Sequence, residues 1–279
     1  MRHSNIAQTA GEVSNKQKKT TKDKVEKSRD MTSTQKEIVA TYHGIEVPDA
    51  PHLGSTMINN MNEGSYERRE VQSALNFIKK GDRVVEMGAG AGVVGAIAAK
   101  NCAPAKIVSF EANHKLIPHV KALYKHNKIQ SKIEVRNKIV LSDPTPPKTV
   151  EFFIQGGGLG SGVSATQGQD RAEKVSVTVT TWDDIRKKVK PTVLLMNIEG
   201  AELEFFRHAD LSGIRVIIAE LHRHIYHRPG MREIRDGIAA KGFVEDRDAS
   251  GGGVFVFTAV TEKTEQTDEI KRIEADQST

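Results

Sequence analysis

A glycine-rich stretch, VVEMGAGAGVVG at residues 84–95, has the residue types of a turn that binds a nucleotide-containing cofactor. Two patterns overlap in it. Glu86, Gly88, Gly90 and Gly92 form E-x-G-x-G-x-G, whereas Gly90, Gly92 and Gly95 form G-x-G-x-x-G. Glycines let a backbone approach a ligand without a Cβ in the way, and the N-terminus of a following helix favours negative charge. Both patterns predict an adenosine-containing cofactor, but the chemistry of the two cofactors differs.

The position of Glu86 separates the two interpretations. The G-x-G-x-x-G pattern places a pyrophosphate at the turn, and a carboxylate two residues before the first glycine would repel it. The same carboxylate suits a cofactor with a cationic end, such as the ammonium and sulfonium groups of S-adenosylmethionine. The apolar run also stops at Met87, which leaves Gly95 inside the following helix. The E-x-G-x-G-x-G frame is therefore favoured, and a nicotinamide dinucleotide is the alternative.

A second carboxylate, Glu111, ends the next apolar run, IVSFEA, about 20 residues after the glycines. At this position an acid can accept hydrogen bonds from both ribose hydroxyls. Polar residues just past the third apolar run are placed where adenine is often contacted. A tyrosine ahead of the first run could close over the cofactor. Further cofactor contacts are thus predicted at Tyr66, Ala89, Ala112, Asn137 and Lys138.

The elements that must position these residues alternate between strand-like and helix-like segments. Nearly continuous apolar strands in such an alternation predict a parallel sheet covered on both faces. We predict one α/β domain over residues 41–260, with an irregular, glycine-rich insertion at 142–174. The predicted strands are 83–88, 106–112, 131–141, 192–200, 215–222 and 253–260, and the predicted helices are 71–80, 93–101, 115–127, 202–208 and 231–241.

The charge of the chain is concentrated at its ends. Residues 1–40 contain nine lysines or arginines and five acids, a net charge of +4, whereas the whole chain carries +5. Residues 261–279 contain six acids and three bases. These compositions predict a disordered basic N-terminal tail and an acidic C-terminal tail. No apolar run is long enough to span a membrane and no secretory signal pattern is present, so a cytoplasmic location is expected.

Several segments together resemble the FkbM-type family of S-adenosylmethionine-dependent methyltransferases, over residues 55–260. The resemblance implies a Rossmann-like class I methyltransferase: a doubly wound, mostly parallel seven-stranded sheet with helices on both faces. It also implies S-adenosylmethionine as the cofactor. The segments that carry the resemblance are GSYERRE, GDRVVEMGAGAGVVG, VSFEAN, VTVTTWDDI, LLMNIEGAELEFF and IIAELH.

One departure from the family pattern affects the catalytic assignment. The segment LLMNIEGAELEFF resembles a motif that is usually Lys-Ile-Asp-Val-Glu-Gly-Ala-Glu, but Asn197 replaces the Asp and Leu195 replaces the Lys. An amide binds no proton at neutral pH and is a weaker cation ligand than a carboxylate. If the family Asp acts as a base or a metal ligand, Asn197 cannot do so equally well, whereas the cofactor site is unaffected.

Four polar residues near the ends of two later strands are predicted to be catalytic. Methyl transfer requires mainly alignment of the acceptor with the sulfonium methyl group, and a base helps when the acceptor is a hydroxyl. Asn197 and Glu199 lie two residues apart at the end of one predicted strand, beside Gly200. Glu220 and His222 share a face of the next strand, and either could be the base. No metal site is predicted.

Three histidines, His222, His224 and His227, lie close together in sequence with Arg223 and Arg228. The arginines oppose a cation at this place. A basic surface that accepts an anionic substrate, such as a phosphorylated sugar, is therefore favoured over a metal site.

The leading functional prediction is methyl transfer from S-adenosylmethionine to a small acceptor, chiefly a hydroxyl of a sugar or other polyhydroxy compound. An NAD(P)-dependent oxidoreductase is the alternative that the G-x-G-x-x-G pattern supports and Glu86 weakens. An RNA-associated methyltransferase that uses the basic tail is another, but nucleic-acid binding is disfavoured because aromatic residues make up 5% of the chain and none lies in the tail. Because of Asn197, a protein that binds the cofactor but has lost catalytic activity is a further alternative.

Overall fold

The computed structural model describes residues 36–155 and 172–260, and strands and helices alternate along most of this length. In chain order the elements are β1 (Ile38–Tyr42), β2 (Ile45–Pro48), α1 (Ser55–Asn62), α2 (Arg68–Phe77), β3 (Arg83–Met87), α3 (Val93–Asn101), β4 (Lys106–Phe110), α4 (Ile117–His126), β5 (Ile133–Arg136), β6 (Ile139–Leu141), β7 (Thr149–Ile154), β8 (Glu173–Thr181), α5 (Trp182–Val189), β9 (Val193–Met196), α6 (Glu202–His208), β10 (Val216–Glu220), α7 (Arg223–Ala239), β11 (Phe243–Gly251) and β12 (Val254–Ala259).

A seven-stranded sheet in the order β11-β12-β10-β9-β3-β4-β5 forms the centre of the fold. The pairs β10–β9, β9–β3, β3–β4 and β4–β5 are parallel, whereas β12 is antiparallel to both β10 and β11. All four residues of β9, VLLM, are buried, as expected for a strand covered on both faces. The prediction of a mostly parallel sheet is confirmed.

Helices cover both faces of this sheet, because alternate residues of β3 belong to different hydrophobic clusters. Val84 packs in a cluster with side chains of α2, α3 and α4. Val85 and Met87 pack in a second cluster with side chains of α5, α6 and α7. The small residues of α3 (VVGAIAAKN) allow this helix to lie close to the sheet, with Ala96, Ala98 and Ala99 fully buried.

The segment predicted as one strand at 131–141 is two strands, which corrects the sequence prediction. The backbone turns at Asn137 and Lys138, where the amide of Lys138 donates to the carbonyl of Arg136 (3.0 Å). The turn separates β5 from β6, and β6 joins a second sheet of order β6-β8-β7.

The predicted irregular insertion at 142–174 is likewise not irregular throughout. Residues 149–154 form β7, which pairs antiparallel with the first half of β8. The β-branched and aromatic residues of TVEFFI and EKVSVTVTT favour this pairing. Residues 156–171 of the insertion lie outside the described part.

The folded unit begins before the predicted boundary at residue 41, because a β1–β2 hairpin opens it at Ile38. Its two-residue turn, His43-Gly44, has φ values of 46° and 78°, the left-handed geometry that two-residue hairpin loops require. The predicted tails fall almost entirely on residues 1–35 and 261–279, which lie outside the described residues. Among the helices described, none has the length and apolarity to cross a membrane.

Helix α7 is longer than the helix predicted at 231–241 and contains a kink. His227 has non-helical backbone angles (φ 52°, ψ −169°), and Pro229 follows it. A proline within a helix disrupts the hydrogen-bond ladder of the preceding turn, and this explains the break. The residues before the kink, Arg223–Tyr226, therefore form a separate turn next to β10.

Candidate active site

A cavity of about 360 Å³ opens at the carboxyl ends of the central strands, where ligands of open α/β sheets bind. The tips of β3, β4 and β9 form one side of it. The segment after α1 and the second sheet form the rest. The predicted site residues that line it are Tyr66, Glu86, Gly88, Ala89, Gly90, Glu111, Ala112, Lys138, Asn197 and Glu199.

The turn after β3 is held against the neighbouring strands by its backbone. The amides of Gly88 and Ala89 donate to the carbonyl of Phe110 (2.9 and 3.1 Å). Gly88 has φ 85°, and a Cβ on it would lie 2.8 Å from the carbonyl carbon of Asn197 and closer still to its oxygen. Only glycine therefore allows the β3 and β9 turns to meet at this point.

Gly92, the third glycine of the pattern, has a packing role. A Cβ on this residue would lie 2.7 Å from Cγ1 of Val120 in α4. Gly92 is absent from the residues that line the cavity, in contrast to Gly90. The structure thus places Gly92 at the start of α3, where it permits close packing of two helices.

Glu86 is buried in the sheet and also reaches the cavity. Its carboxylate accepts hydrogen bonds from the Ser109 hydroxyl and the Gly95 amide. A Cβ on Gly95 would lie 2.8 Å from Oε1 of Glu86, so this glycine makes room for the carboxylate. Burial raises the pKa of Glu86 to about 7, although the hydrogen bonds oppose the rise. Gly95, the last glycine of the G-x-G-x-x-G pattern, therefore makes room for Glu86, the acid that disfavours a dinucleotide.

Glu111 is tied to the glycine turn. Its Oε2 accepts a hydrogen bond from the Gly90 amide (2.8 Å), and its Oε1 accepts one from the Asn113 amide (2.7 Å). Burial raises the pKa of Glu111 to about 7 in spite of these bonds. A buried carboxylate next to the turn is suitably placed to receive ribose hydroxyls.

Asn137 supports the Glu111 loop from behind. Its Nδ2 donates to the carbonyls of Glu111 (2.9 Å) and Ala112 (2.8 Å), and Asn137 is not among the residues lining the cavity. Its neighbour Lys138 does line the cavity. The structure therefore brings Lys138 to the site and gives Asn137 a position from which it holds the loop.

The segment after α1 brings the predicted Tyr66 to the cavity together with two acids that the sequence prediction missed, Glu67 and Glu70. Tyr66 lines the cavity, and burial, followed by the charges of Glu67, Glu70 and Glu86, raises the pKa of its hydroxyl. Glu67 and Glu70 share a hydrogen bond, and burial raises the pKa of both. One carboxylate oxygen each from Glu67, Glu70 and Glu220 lies within 4.8 Å of the others. The three-residue spacing of the two acids in GSYERRE, on one side of a helical turn, was the available signal.

The cavity is strongly acidic. Five carboxyl side chains line it, and among its lining residues only one side chain is a lysine or arginine, Lys138. A pyrophosphate would meet five carboxyl groups and a single cationic side chain here, whereas a cofactor with a sulfonium and an ammonium group would favour the ionised form of these carboxyl groups. The five acids are Glu67, Glu70, Glu86, Glu111 and Glu199.

The β9 turn brings two predicted catalytic residues to the same cavity. The strand ends at Met196, so Asn197 and Glu199 lie in the turn that follows it and not within the predicted strand at 192–200. Glu199 has a left-handed φ of 49°. The Nδ2 of Asn197 donates to Oε2 of Glu220 (2.6 Å), whereas its buried Oδ1 has no hydrogen-bond partner among the described residues.

His222 lies behind Glu199, outside the cavity lining. Its Nε2 is 3.3 Å from Oε2 of Glu199, and its Nδ1 is 3.1 Å from Oε1 of Glu202. Burial lowers the pKa of His222, but the hydrogen bond and charge of Glu202 outweigh it, so the pKa lies above the usual value. Glu202 is completely buried and also accepts hydrogen bonds from the Gly200 amide (3.0 Å) and the Tyr226 hydroxyl.

The elevated pKa values predict that the empty protein loses stability as pH rises from about 4.5 to about 7. Glu86 and Glu111 have a usual pKa of 4.5 and a folded pKa of about 7, so the folded state holds more protons than the unfolded state in this window. Urea unfolding at pH 5 and pH 8 measures the difference. Saturating S-adenosylmethionine should offset the loss at pH 8, and Glu86→Gln should reduce it. Equal stability at both pH values would contradict the prediction.

The fold and cavity together favour one kind of cofactor. The central sheet is mostly parallel and Rossmann-like, and one antiparallel strand, β12, lies between β10 and β11. The cavity at the carboxyl ends of its strands is lined by five carboxyl groups, which disfavour a dinucleotide.

The sequence pattern described as "Methyltransferase FkbM domain" matches residues 86–245, more than half of the chain. The chain therefore belongs to the FkbM methyltransferase family, and its cofactor is S-adenosylmethionine. The matched range includes the β3 turn, Glu111, the β9 turn and His222. No curated protein matches the sequence.

Several solved structures are similar at low identity. Precorrin-6y C5,15-methyltransferase from Geobacter metallireducens GS-15 is 13% identical, with 82% of this chain and 100% of that chain covered and a TM-score of 0.43. Magnesium protoporphyrin IX methyltransferase from Synechocystis PCC 6803, with bound SAM, is 12% identical, with coverage of 76% and 86% and a TM-score of 0.42. Ribosomal protein L11 methylase from Lactobacillus delbrueckii subsp. bulgaricus is 11% identical, with coverage of 70% and 77% and a TM-score of 0.41.

Proposed function

We propose that this protein transfers a methyl group from S-adenosylmethionine to a hydroxyl oxygen of a small polyhydroxy acceptor, such as a sugar. The cofactor would lie against the β3 turn, with its ribose at Glu111. The acceptor would lie toward the β9 turn, next to Asn197 and Glu199.

The observation that carries the proposal is the pair of polar residues, Asn197 and Glu199, at the β9 side of the cavity. The Glu199 carboxylate lines it, and the Oδ1 of Asn197 is buried without a partner among the described residues. A buried unpaired acceptor is costly unless a ligand supplies a donor. Hydroxyl groups supply such donors, and a compound with several of them can satisfy both residues together.

The side chains on this face also suit removal of a hydroxyl proton. When bound, S-adenosylmethionine supplies an electrophilic methyl group. Glu199 can accept the proton that the acceptor oxygen loses as its bond to the methyl carbon forms. His222, 3.3 Å behind Glu199, can stabilise or relay that proton, while Glu202 fixes the imidazole through Nδ1. Asn197 would hold the acceptor and, through Nδ2, Glu220.

The two alternatives draw on different parts of the molecule. Five carboxyl groups around the cavity disfavour the pyrophosphate of a nicotinamide dinucleotide. An RNA-associated activity would use the basic residues of the N-terminal tail, which lie almost entirely outside the described residues. To test that alternative, polynucleotide binding is measured at several salt concentrations for the full chain and for a chain that starts at Met31.

Replacing Glu199 by glutamine is expected to lower the methyl-transfer rate by about 100-fold or more, the usual range for loss of a positioned base. The reaction is measured as S-adenosylhomocysteine release over a panel of sugars, polyols and amines. Binding of S-adenosylhomocysteine should stay within about twofold of wild type, since Glu199 is on the acceptor side.

Glu204→Gln is the matched control, because Glu204 is an exposed acid of the neighbouring helix α6. It should leave the rate unchanged. Turnover of amines without any turnover of hydroxyl compounds would refute the oxygen-acceptor proposal. An unaltered rate in Glu199→Gln would refute the role of Glu199.

A further inference from the structure

Helix α7 presents an unusual concentration of arginines to solvent. Arg223, Arg228, Arg232 and Arg235 are all exposed and line one concavity of about 380 Å³. The other lining residues are Met231 and Asp236. Four guanidinium groups therefore face one small depression that contains a single carboxylate.

Three of these arginines lack an ionic partner. Arg235 pairs with Glu245 (2.5 Å), but Arg223, Arg228 and Arg232 have no carboxylate within 4.0 Å among the residues that the structure describes. Other arginines of the fold behave differently: Arg186 and Arg207 each contact two acids. The concavity thus keeps a net positive charge after its internal pairs are counted.

One intervening depression separates the arginine concavity from the residues that line the candidate active site. This depression shares Arg223 and Met231 with the arginine concavity and is also lined by Glu220 and His222. Glu220 receives the Asn197 amide (2.6 Å), and Asn197 lines the methyl-transfer cavity. A ligand held at the arginines therefore lies on the acceptor side of the molecule, beyond β10.

We propose that the concavity on α7 binds the phosphate group of a small phosphorylated ligand. Guanidinium groups bind phosphate oxygens through paired, charge-assisted hydrogen bonds, and a dianion matches three free arginines beside one acid. The acids beside the arginines, Glu233 and Asp236, interrupt the basic surface and so favour a single phosphate over a nucleic-acid backbone, which needs a continuous basic track. That the phosphorylated ligand is the methyl acceptor rests on the proposed function.

In the test, the full chain is first saturated with S-adenosylhomocysteine. It is then titrated calorimetrically, in separate experiments at constant ionic strength, with inorganic phosphate and with glucose 6-phosphate. Wild type is expected to bind both, and Arg228→Gln/Arg232→Gln to bind them at least about tenfold more weakly. Arg228→Lys/Arg232→Lys should fall between, because lysine keeps the charge and loses the planar fork. The matched control is Lys187→Gln/Lys188→Gln, which removes two charges from the exposed face of α5 and should bind as wild type does.

The phosphate site would be overturned if wild type does not bind phosphate, or if the α5 control weakens binding equally. Tighter binding of a short RNA, with a steep salt dependence that the α7 variant loses, would also overturn it in favour of a nucleic-acid surface. Binding of S-adenosylhomocysteine is recorded for every variant. If wild type does not bind S-adenosylhomocysteine, the proposed function is refuted. Phosphate binding would still test the role of the arginines in that case.

Discussion

Replacing Glu111 by alanine is expected to weaken S-adenosylhomocysteine binding by at least about 100-fold. Each hydrogen bond to a charged group contributes about 1.5–3 kcal/mol, and we expect Glu111 to receive both ribose hydroxyls. Its carboxylate also accepts the Gly90 and Asn113 amides, so its removal loosens the loop that faces the cofactor. Calorimetric titration of both proteins with S-adenosylhomocysteine and, separately, with NAD measures the effect.

Glu111→Gln separates the charge from the shape of the side chain. It keeps a carbonyl oxygen for one hydrogen bond and should lie between wild type and Glu111→Ala. Ser176→Ala, on the outer sheet, is a control that should bind as wild type does, because Ser176 is exposed on β8 and absent from the cavity lining. Unchanged affinity in Glu111→Ala would remove the ribose contact from the site, and tight NAD binding would contradict the interpretation of Glu86.

Gly88→Ala is expected to lower the free energy of unfolding by more than about 3 kcal/mol, a loss that marks severe steric conflict. Two costs combine. A left-handed φ of 85° disfavours any side chain by about 1 kcal/mol or more. The new methyl group would also overlap the backbone carbonyl of Asn197, which cannot move aside without disturbing the β9 turn. Urea unfolding and thermal melting measure the change.

Gly81→Ala is the matched control for backbone strain. Gly81 has φ 86°, but a Cβ on it meets no heavy atom within 4 Å. This variant should lose only the conformational part, and the difference between the two variants isolates the clash with Asn197. Equal losses would show that the β3 and β9 turns can separate at little cost.

The parts of the site that the sequence predicted are those encoded by local patterns. A buried strand followed by glycines predicts the β3 turn, and an acid at the end of the next strand lies beside that turn because parallel strands end at one edge. Glu86 and Glu111 were found in this way. Both are buried next to the cavity, with pKa values near 7 that follow from the burial.

The parts that the sequence could not predict depend on contacts between distant segments. Glu202 and Tyr226 are 24 residues apart, and no periodicity links them; only the packing of α6 against α7 brings the hydroxyl to the carboxylate. Glu67 and Glu220 meet because α2 packs against β10. Asn197 and Glu199 belong to a predicted strand, but β9 ends at Met196 and both residues lie in the following turn.

The β1–β2 hairpin is a different case, because its signal was local and present. The residues IVATY and IEVP alternate around His-Gly, and the inward side chains Ala40, Tyr42, Ile45 and Val47 are buried. A histidine at a left-handed position is less typical of such turns than asparagine. The strands β7 and β8 are separated by residues 155–172, so no short turn in the sequence predicts that they pair.

The second sheet supplies Ile139, Val140 and Phe152 to the wall of the cavity, whereas the β3 and β4 tips belong to the central sheet. The two walls of the cavity are thus built by different sheets. A substitution in β6 or β7 can therefore change the shape of one wall while the glycine turn and Glu111, at the tips of β3 and β4, keep their positions.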